Sequence, residues 1–158
     1  MDTHAEAFLV ATPMLSLAVT VAGDAITEIR LGATAPRLPA TTLERGVAEQ
    51  LAQYLAGSRS VFTVPTDPAG TPFQQAVWKQ LCAIPYGQTQ TYGEVAAAVG
   101  NRGAARAVGM ANHRNPIPLV IPCHRVVAAG GKLGGYGGGP QLKRRLLRLE
   151  ATRMPLFG

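Results

Sequence analysis

Apolar and polar positions change their period part-way along the chain. Short apolar runs separated by turn residues fill the first third. Residues 8–11 and 15–21 read as strands, and Ala22-Gly23-Asp24 reads as a hairpin turn into a third strand over 25–31. Pro36 and Pro39 interrupt the pattern. Over 42–56 the spacing predicts a helix with Leu43, Val47, Leu51 and Leu55 on one face, closed by Gly57-Ser58. Residues 61–64 are apolar enough for a fourth strand. No reactive side chains cluster here, and the stretch reads as a structural α/β unit.

Residues 63–72 carry three prolines and a glycine and read as a linker. Beyond them the spacing is helical. Thr71-Pro72 suits a helix start, followed by the stripe Phe73, Val77, Trp78 and Leu81. Cys82, at the end of that stripe, reads as a small core residue. Thr91-Tyr92-Gly93-Glu94 is a capping box opening a short helix that Gly100 closes. A second helix is expected over 102–112, so the pair resembles a helix-turn-helix. That second helix is nearly bare: Gly103, Ala104, Ala105, Ala107, Gly109 and Ala111 surround a lone Arg106. Such a helix either packs tightly on a neighbour or brings its backbone close to another surface. The isolated arginine favours the second, because a packed face excludes charge.

Asn115-Pro116 forms a turn into 116–122, whose prolines rule out an ordinary central strand. Cys123-His124-Arg125 follows. Residues 130–139 contain seven glycines and must be a loop with unusual backbone angles. A final amphipathic helix over 141–151 is expected to turn Leu142, Leu146 and Leu149 inward, and Lys143, Arg144, Arg145 and Arg148 largely outward.

Charge sharpens this division. Residues 1–70 hold four basic and seven acidic side chains, whereas 71–158 hold eleven basic and only two acidic, Glu94 and Glu150. The basic half accounts for the net +6 and suits a polyanionic partner such as nucleic acid. With 47% hydrophobic and 15% charged residues the composition is that of a globular protein. No apolar run reaches membrane-spanning length and no secretory signal is evident, so a cytoplasmic location with reduced thiols is expected. Two cysteines and three scattered histidines (His4, His113 and His124) lack structural zinc spacing, and neither metal nor cofactor is expected.

The chemistry is expected at Cys123. A thiol attacks as thiolate, and an apolar setting raises its pKa, so a buried reactive cysteine needs a base and a positive field. His124 can supply the base, directly or through a water, and Arg125 the charge. The base needs an acceptor to orient it. Glu94 is committed to a helix cap, which leaves Glu150 as third member of a Cys–His–Glu relay. Taken alone, a cysteine after an apolar run is most often a small core residue.

Context decides between these readings. Pro-Cys-His-Arg-Val-Val at 122–127 lies between Asn115-Pro116 upstream and Gly135-Tyr136-Gly137-Gly138-Gly139 downstream. Together with Pro72-Phe73-Gln74-Gln75-Ala76-Val77-Trp78, Ile84-Pro85-Tyr86-Gly87, Thr91-Tyr92-Gly93-Glu94 and Ala105-Arg106-Ala107-Val108-Gly109, it resembles the O6-alkylguanine-DNA alkyltransferase family. The resemblance covers 71–151 densely and in order; residues 1–70 match only in general layout.

The resemblance implies stoichiometric repair of duplex DNA bearing O6-methylguanine, with O4-methylthymine as a further candidate substrate. Cys123 would take the alkyl group in one in-line displacement. His124 would draw the thiol proton through a water, with Glu150 holding the imidazole. Tyr92 would donate to the base, and Lys143 would polarise the leaving oxygen. Arg106 would replace the flipped nucleotide from a recognition helix in the minor groove, with Ala105, Gly109, Tyr92, Arg102 and Arg125 at the DNA. Asn115 would brace the turn, while Tyr136, Gly137 and Val126 would line the pocket with Cys123. Gly137 departs from the serine common there, which bears on substrate range. The implied architecture is a ribonuclease H-like α/β domain (1–62), a linker (63–72) and a mainly α, winged helix-turn-helix-like domain (73–158). The implied protein is a monomer with no membrane partner, cooperativity on DNA being open. A non-catalytic reader of alkylated DNA is the alternative, behind because the cysteine is kept. A plain helix-turn-helix regulator is disfavoured by the lack of base-reading side chains around Arg106.

Overall fold

The computed structural model describes residues 6–153; His4 and the rest of 1–5, and residues 154–158, lie outside the described part. Three antiparallel strands, β1 (Phe8–Ala11), β2 (Ser16–Ala22) and β3 (Ala25–Leu31), form a sheet in sequence order. Gly23 takes the positive φ of +62° that the tight β2–β3 turn requires. Phe8, Val19 and Ile29 are in register across the sheet and buried, which sets its inner face.

That face is covered by α1 (Thr42–Leu55), whose buried side is Val47, Leu51, Tyr54 and Leu55. The helix starts with a capping box between Thr41 and Glu44, and Glu44 also takes a two-pronged ion pair from Arg37 at 2.8 and 2.7 Å. A cap of this kind stabilises by about 1 kcal/mol.

The fourth strand expected at 61–64 is absent. Pro65 and Pro68 prevent a ladder, and the segment pairs with β3 only at an isolated bridge between Ile26 and Thr66.

The remainder is mainly helical: α2 (Pro72–Cys82), α3 (Tyr92–Ala98), α4 (Ala105–His113) and α5 (Pro140–Arg153). Capping boxes at Thr71–Gln74 and Thr91–Glu94 start α2 and α3. Helix α4 begins three residues later than its composition predicts. Arg102 and Gly103 form a turn, with the Ala104 N–H donating to Asn101 O, and no side chain caps the helix. Helices α2, α3 and α4 pack together, and the Trp78 indole donates to Ala111 O at 2.8 Å. Two short strands, β4 (Gln90–Thr91) and β5 (Val126–Val127), pair in parallel beside them.

One continuous core runs from Phe8 and Tyr54 through Trp78 to Ile117, Cys123 and Leu146, so both halves of the chain share it. The Ile29 N–H of β3 donates to Pro116 O, tying the sheet to the segment before Cys123. Among the described residues no helix is long and apolar enough to cross a membrane.

Candidate active site

Cys123 opens a single 3-10 turn, Cys123–Arg125, at the end of a segment that its prolines and one asparagine hold rigid. The Asn115 amide donates to Ile121 O at 2.8 Å and its carbonyl accepts from the Ile117 N–H at 2.9 Å, bracing both ends of the turn. Inside that turn Leu119 has φ +76°, the one non-glycine with positive φ among the described residues, a conformation that costs about 1–2 kcal/mol. The Asn112 amide, from α4, donates to Cys123 O at 3.1 Å, so α4 itself fixes the cysteine backbone.

The thiol faces a cavity of about 160 Å³ lined by Leu31, Asn112, His113, Asn115, Pro118, Tyr136 and Gly137–Gly138. A smaller space adjoins it, sharing Asn112, His113, Tyr136 and Gly137 and bounded beyond by Tyr92, Gly109 and Gly135. Tyr92 is half-buried at the start of α3, and a Cβ at Gly134 would lie 2.8 Å from its hydroxyl. Gly134, at φ +77°, therefore lets the glycine loop close on Tyr92. A Cβ at Gly137 would meet nothing within 4 Å, so the position has room for a side chain and simply lacks a hydroxyl.

Behind the thiol lies a buried polar cluster. His124 Nε2 is 2.7 Å from Glu150 Oε2, and neither residue is more than 1% exposed. With Glu150 ionised, Nε2 carries the proton and donates, leaving Nδ1 bare. That atom is buried without a hydrogen-bond partner among the described residues. Arg125 binds both carboxylate oxygens, the Gly87 N–H donates to Oε1, and the Tyr54 hydroxyl donates to Oε2 at 2.5 Å. Burial would raise the Glu150 pKa, but His124, Arg125 and Tyr54 together hold it down at about 2. Burial pushes the His124 imidazole below its ordinary value, against the pull of Glu150, so it is neutral at neutral pH.

Burial also pushes the Cys123 thiol up to about 11, opposed by the Asn115 amide and by the Lys143 charge. Lys143 itself falls to about 8, because burial outweighs the attraction of a Cys123 thiolate. Its ammonium donates to Val126 O at 2.6 Å and to Gly135 O at 3.1 Å, pinning the glycine loop to β5.

These positions correct several expectations. Lys143 does not point outward: it is fully buried, because α5 turns Lys143, Leu146 and Glu150 inward, a face one residue round from Leu142, Leu146 and Leu149. Arg125 is neither at the DNA surface nor a free positive field beside the thiol; it is buried and bound to Glu150 and to Ile84 O. Val126 is buried and lines neither cavity, its carbonyl being taken by Lys143. Cys82 is exposed. By contrast Arg102, Arg106, Ala107, Met110 and His113 are exposed at and along α4, with Ala105 and Gly109 half-buried among them.

Among the residues that escaped the sequence reading are Asn112, Leu31 and Tyr54. Tyr54 had a signal. It shares the stripe of Val47 and Leu51, and a tyrosine on a buried stripe needs a partner for its hydroxyl. Among the described residues no group of three or more His, Cys, Asp or Glu could hold a metal ion.

Residues 72–152, more than half the chain, match the family model described as "6-O-methylguanine DNA methyltransferase, DNA binding domain". That match defines the class, a DNA-binding methyltransferase. A methylated-DNA--protein-cysteine methyltransferase of Mycobacterium tuberculosis is 56% identical over 110 residues, 70% of this chain and 67% of that protein. The crystal structure of the M. tuberculosis O6-methylguanine methyltransferase superposes with a TM-score of 0.85 at 43% identity, covering 97% of this chain and 96% of that one. Its complex with DNA superposes at 0.84 with 44% identity over 95% of each chain. The chain belongs to the family of methylated-DNA--protein-cysteine methyltransferases, the O6-methylguanine-DNA methyltransferases. Its activity is DNA repair by direct reversal, the alkyl group passing from the damaged base to a cysteine of the protein.

Proposed function

We propose that Cys123 is the acceptor, and that it takes the alkyl group of a flipped O6-methylguanine once, irreversibly. The carrying observation is a buried thiol on the wall of a partly open cavity, directly followed by a histidine already oriented by a carboxylate. The Cys123 proton passes through a water to the bare Nδ1 of His124. The sulfur–carbon bond forms as the carbon–O6 bond breaks, and the electron pair stays on the purine oxygen. Tyr92 donates to the base as it becomes anionic. The buried charge of Lys143, with two of its three N–H groups on carbonyls, favours both the thiolate and the developing oxyanion.

The duplex lies along α4. Small residues on its exposed side let the backbone approach the minor groove, and Arg106 takes the place of the extruded nucleotide, offsetting part of the few kcal/mol of unstacking. Residues 73–158 act as a winged helix-turn-helix-like domain, joined through 63–72 to a ribonuclease H-like N-terminal unit. The parallel β4–β5 pair beside α3 supports the wing. A duplex labelled on the methyl of O6-methylguanine tests the reading. Label should leave the DNA for the protein in at most one equivalent; multiple turnovers, or label retained on DNA, would overturn it.

A further inference from the structure

The N-terminal half reaches the polar cluster behind the thiol through Tyr54. Tyr54 sits in the last turn of α1, is fully buried, and crosses the shared core to the cluster behind the thiol. Its hydroxyl donates to Glu150 Oε2 at 2.5 Å and its oxygen lies 3.1 Å from His124 Nε2, while Nε2 and Oε2 are themselves 2.7 Å apart. The three polar atoms form a closed triangle. The Tyr54 ring is set by Phe62, with centroids 5.3 Å apart, and by an edge contact with Tyr86 at 6.3 Å.

We propose that Tyr54 is a positioning residue for alkyl transfer: its hydroxyl fixes the His124 imidazole in the Nε2–H tautomer and tempers the charge that Glu150 presents to it. This rests on the reading of His124 as the base.

The atom that Tyr54 and His124 share is Glu150 Oε2. A carboxylate oxygen facing an imidazole alone stabilises the imidazolium and so makes the ring hold its proton at higher pH. Here Oε2 also accepts from Tyr54 and Arg125, and each donor draws charge away from the imidazole. The other groups facing the ring act in known directions. Arg125 and Lys143 are cations that disfavour a second positive charge, while Tyr136, in edge contact with the ring, and the Cys123 thiol are neutral at neutral pH. Tyr54 remains a donor throughout, because burial and the Glu150 charge push its own pKa well above the ordinary tyrosine value. A base that must accept a thiol proton has to start neutral with Nδ1 bare, and the Tyr54 hydroxyl favours that state.

Tyr54→Phe keeps the ring and removes the hydroxyl. The imidazole should then titrate at higher pH, read by nitrogen NMR of His124 in the full-length protein. The acid limb of single-turnover methyl transfer should move up with it by about one pH unit, lowering the rate on that limb up to about tenfold. Phe62→Leu, which disturbs the packing of the same ring, should lower thermal stability without moving either titration. An unchanged imidazole titration in Tyr54→Phe would overturn the proposal and leave Tyr54 a core residue. A shifted imidazole titration with an unmoved rate profile would instead overturn His124 as the base.

Discussion

Arg125 grips Glu150 with two nitrogens, Nε on Oε1 at 2.9 Å and Nη2 on Oε2 at 3.0 Å, and the pair is almost wholly buried. The contact joins the 3-10 turn that carries Cys123 to the inner face of α5. The Arg125 Nη1 adds a bond to Ile84 O, after α2, at 2.8 Å.

Removing one partner of such a pair leaves the other as an uncompensated buried charge. Arg125→Met is expected to lower the unfolding free energy by about 3–5 kcal/mol in urea titration. A loss below about 1 kcal/mol would mean that Glu150 finds other compensation.

Glu150→Gln keeps the shape of α5 but leaves His124 without its anionic acceptor. Transfer should slow by about a hundredfold or more, while affinity for unmodified duplex, measured by fluorescence anisotropy, stays near that of the parent. An unchanged transfer rate would remove Glu150 from the relay.

Arg106 is exposed on α4, flanked by the small residues Ala105, Ala107 and Gly109. Arg106→Ala should impair repair of the lesion in duplex far more than reaction with the free modified base, because only the duplex requires extrusion. Equal loss on both substrates would contradict insertion into the stack.

The thiol gives a pH prediction. With its pKa pushed up to about 11, Cys123 is almost entirely protonated at neutral pH in the absence of substrate. Its modification by a small soluble alkylating reagent, followed by peptide mass, should be slow at neutral pH and keep rising as pH climbs towards about 11. A rate already level at about pH 8 would show that the thiolate exists without a seated base.

Much of this was legible in the sequence, because it depends on local chemistry. Strand and helix positions follow from period and caps: β1, β3, the helix start at Thr71-Pro72 and the capping box at Thr91 lie where the residues put them. The His124–Glu150 partnership could be reached by elimination, since the basic half holds just one other acid and that one caps α3. What escaped depends on contacts distant in sequence. Tyr54 meets His124 and Glu150 across 70 and 96 residues, and only the packing of α1 against the second half brings them together. Lys143 was misplaced for another reason. Hydrophobicity sets a helix face by its leucines, whereas α5 buries a lysine and a glutamate that find carbonyl, arginine and histidine partners inside. The spacing of Lys143, Leu146 and Glu150 was itself helical, so the face was readable once charge was allowed inward.

On the proposed mechanism one particular thiol, that of Cys123, accepts the alkyl group. The most direct measurement is proteolysis and peptide mass mapping of the protein after a single incubation with duplex carrying O6-methylguanine, the two cysteines falling in separate peptides. One added methyl group is expected, on the peptide containing Cys123, and none on the exposed Cys82. A methyl group on Cys82, or a Cys123→Ala variant that still removes the lesion, would contradict it.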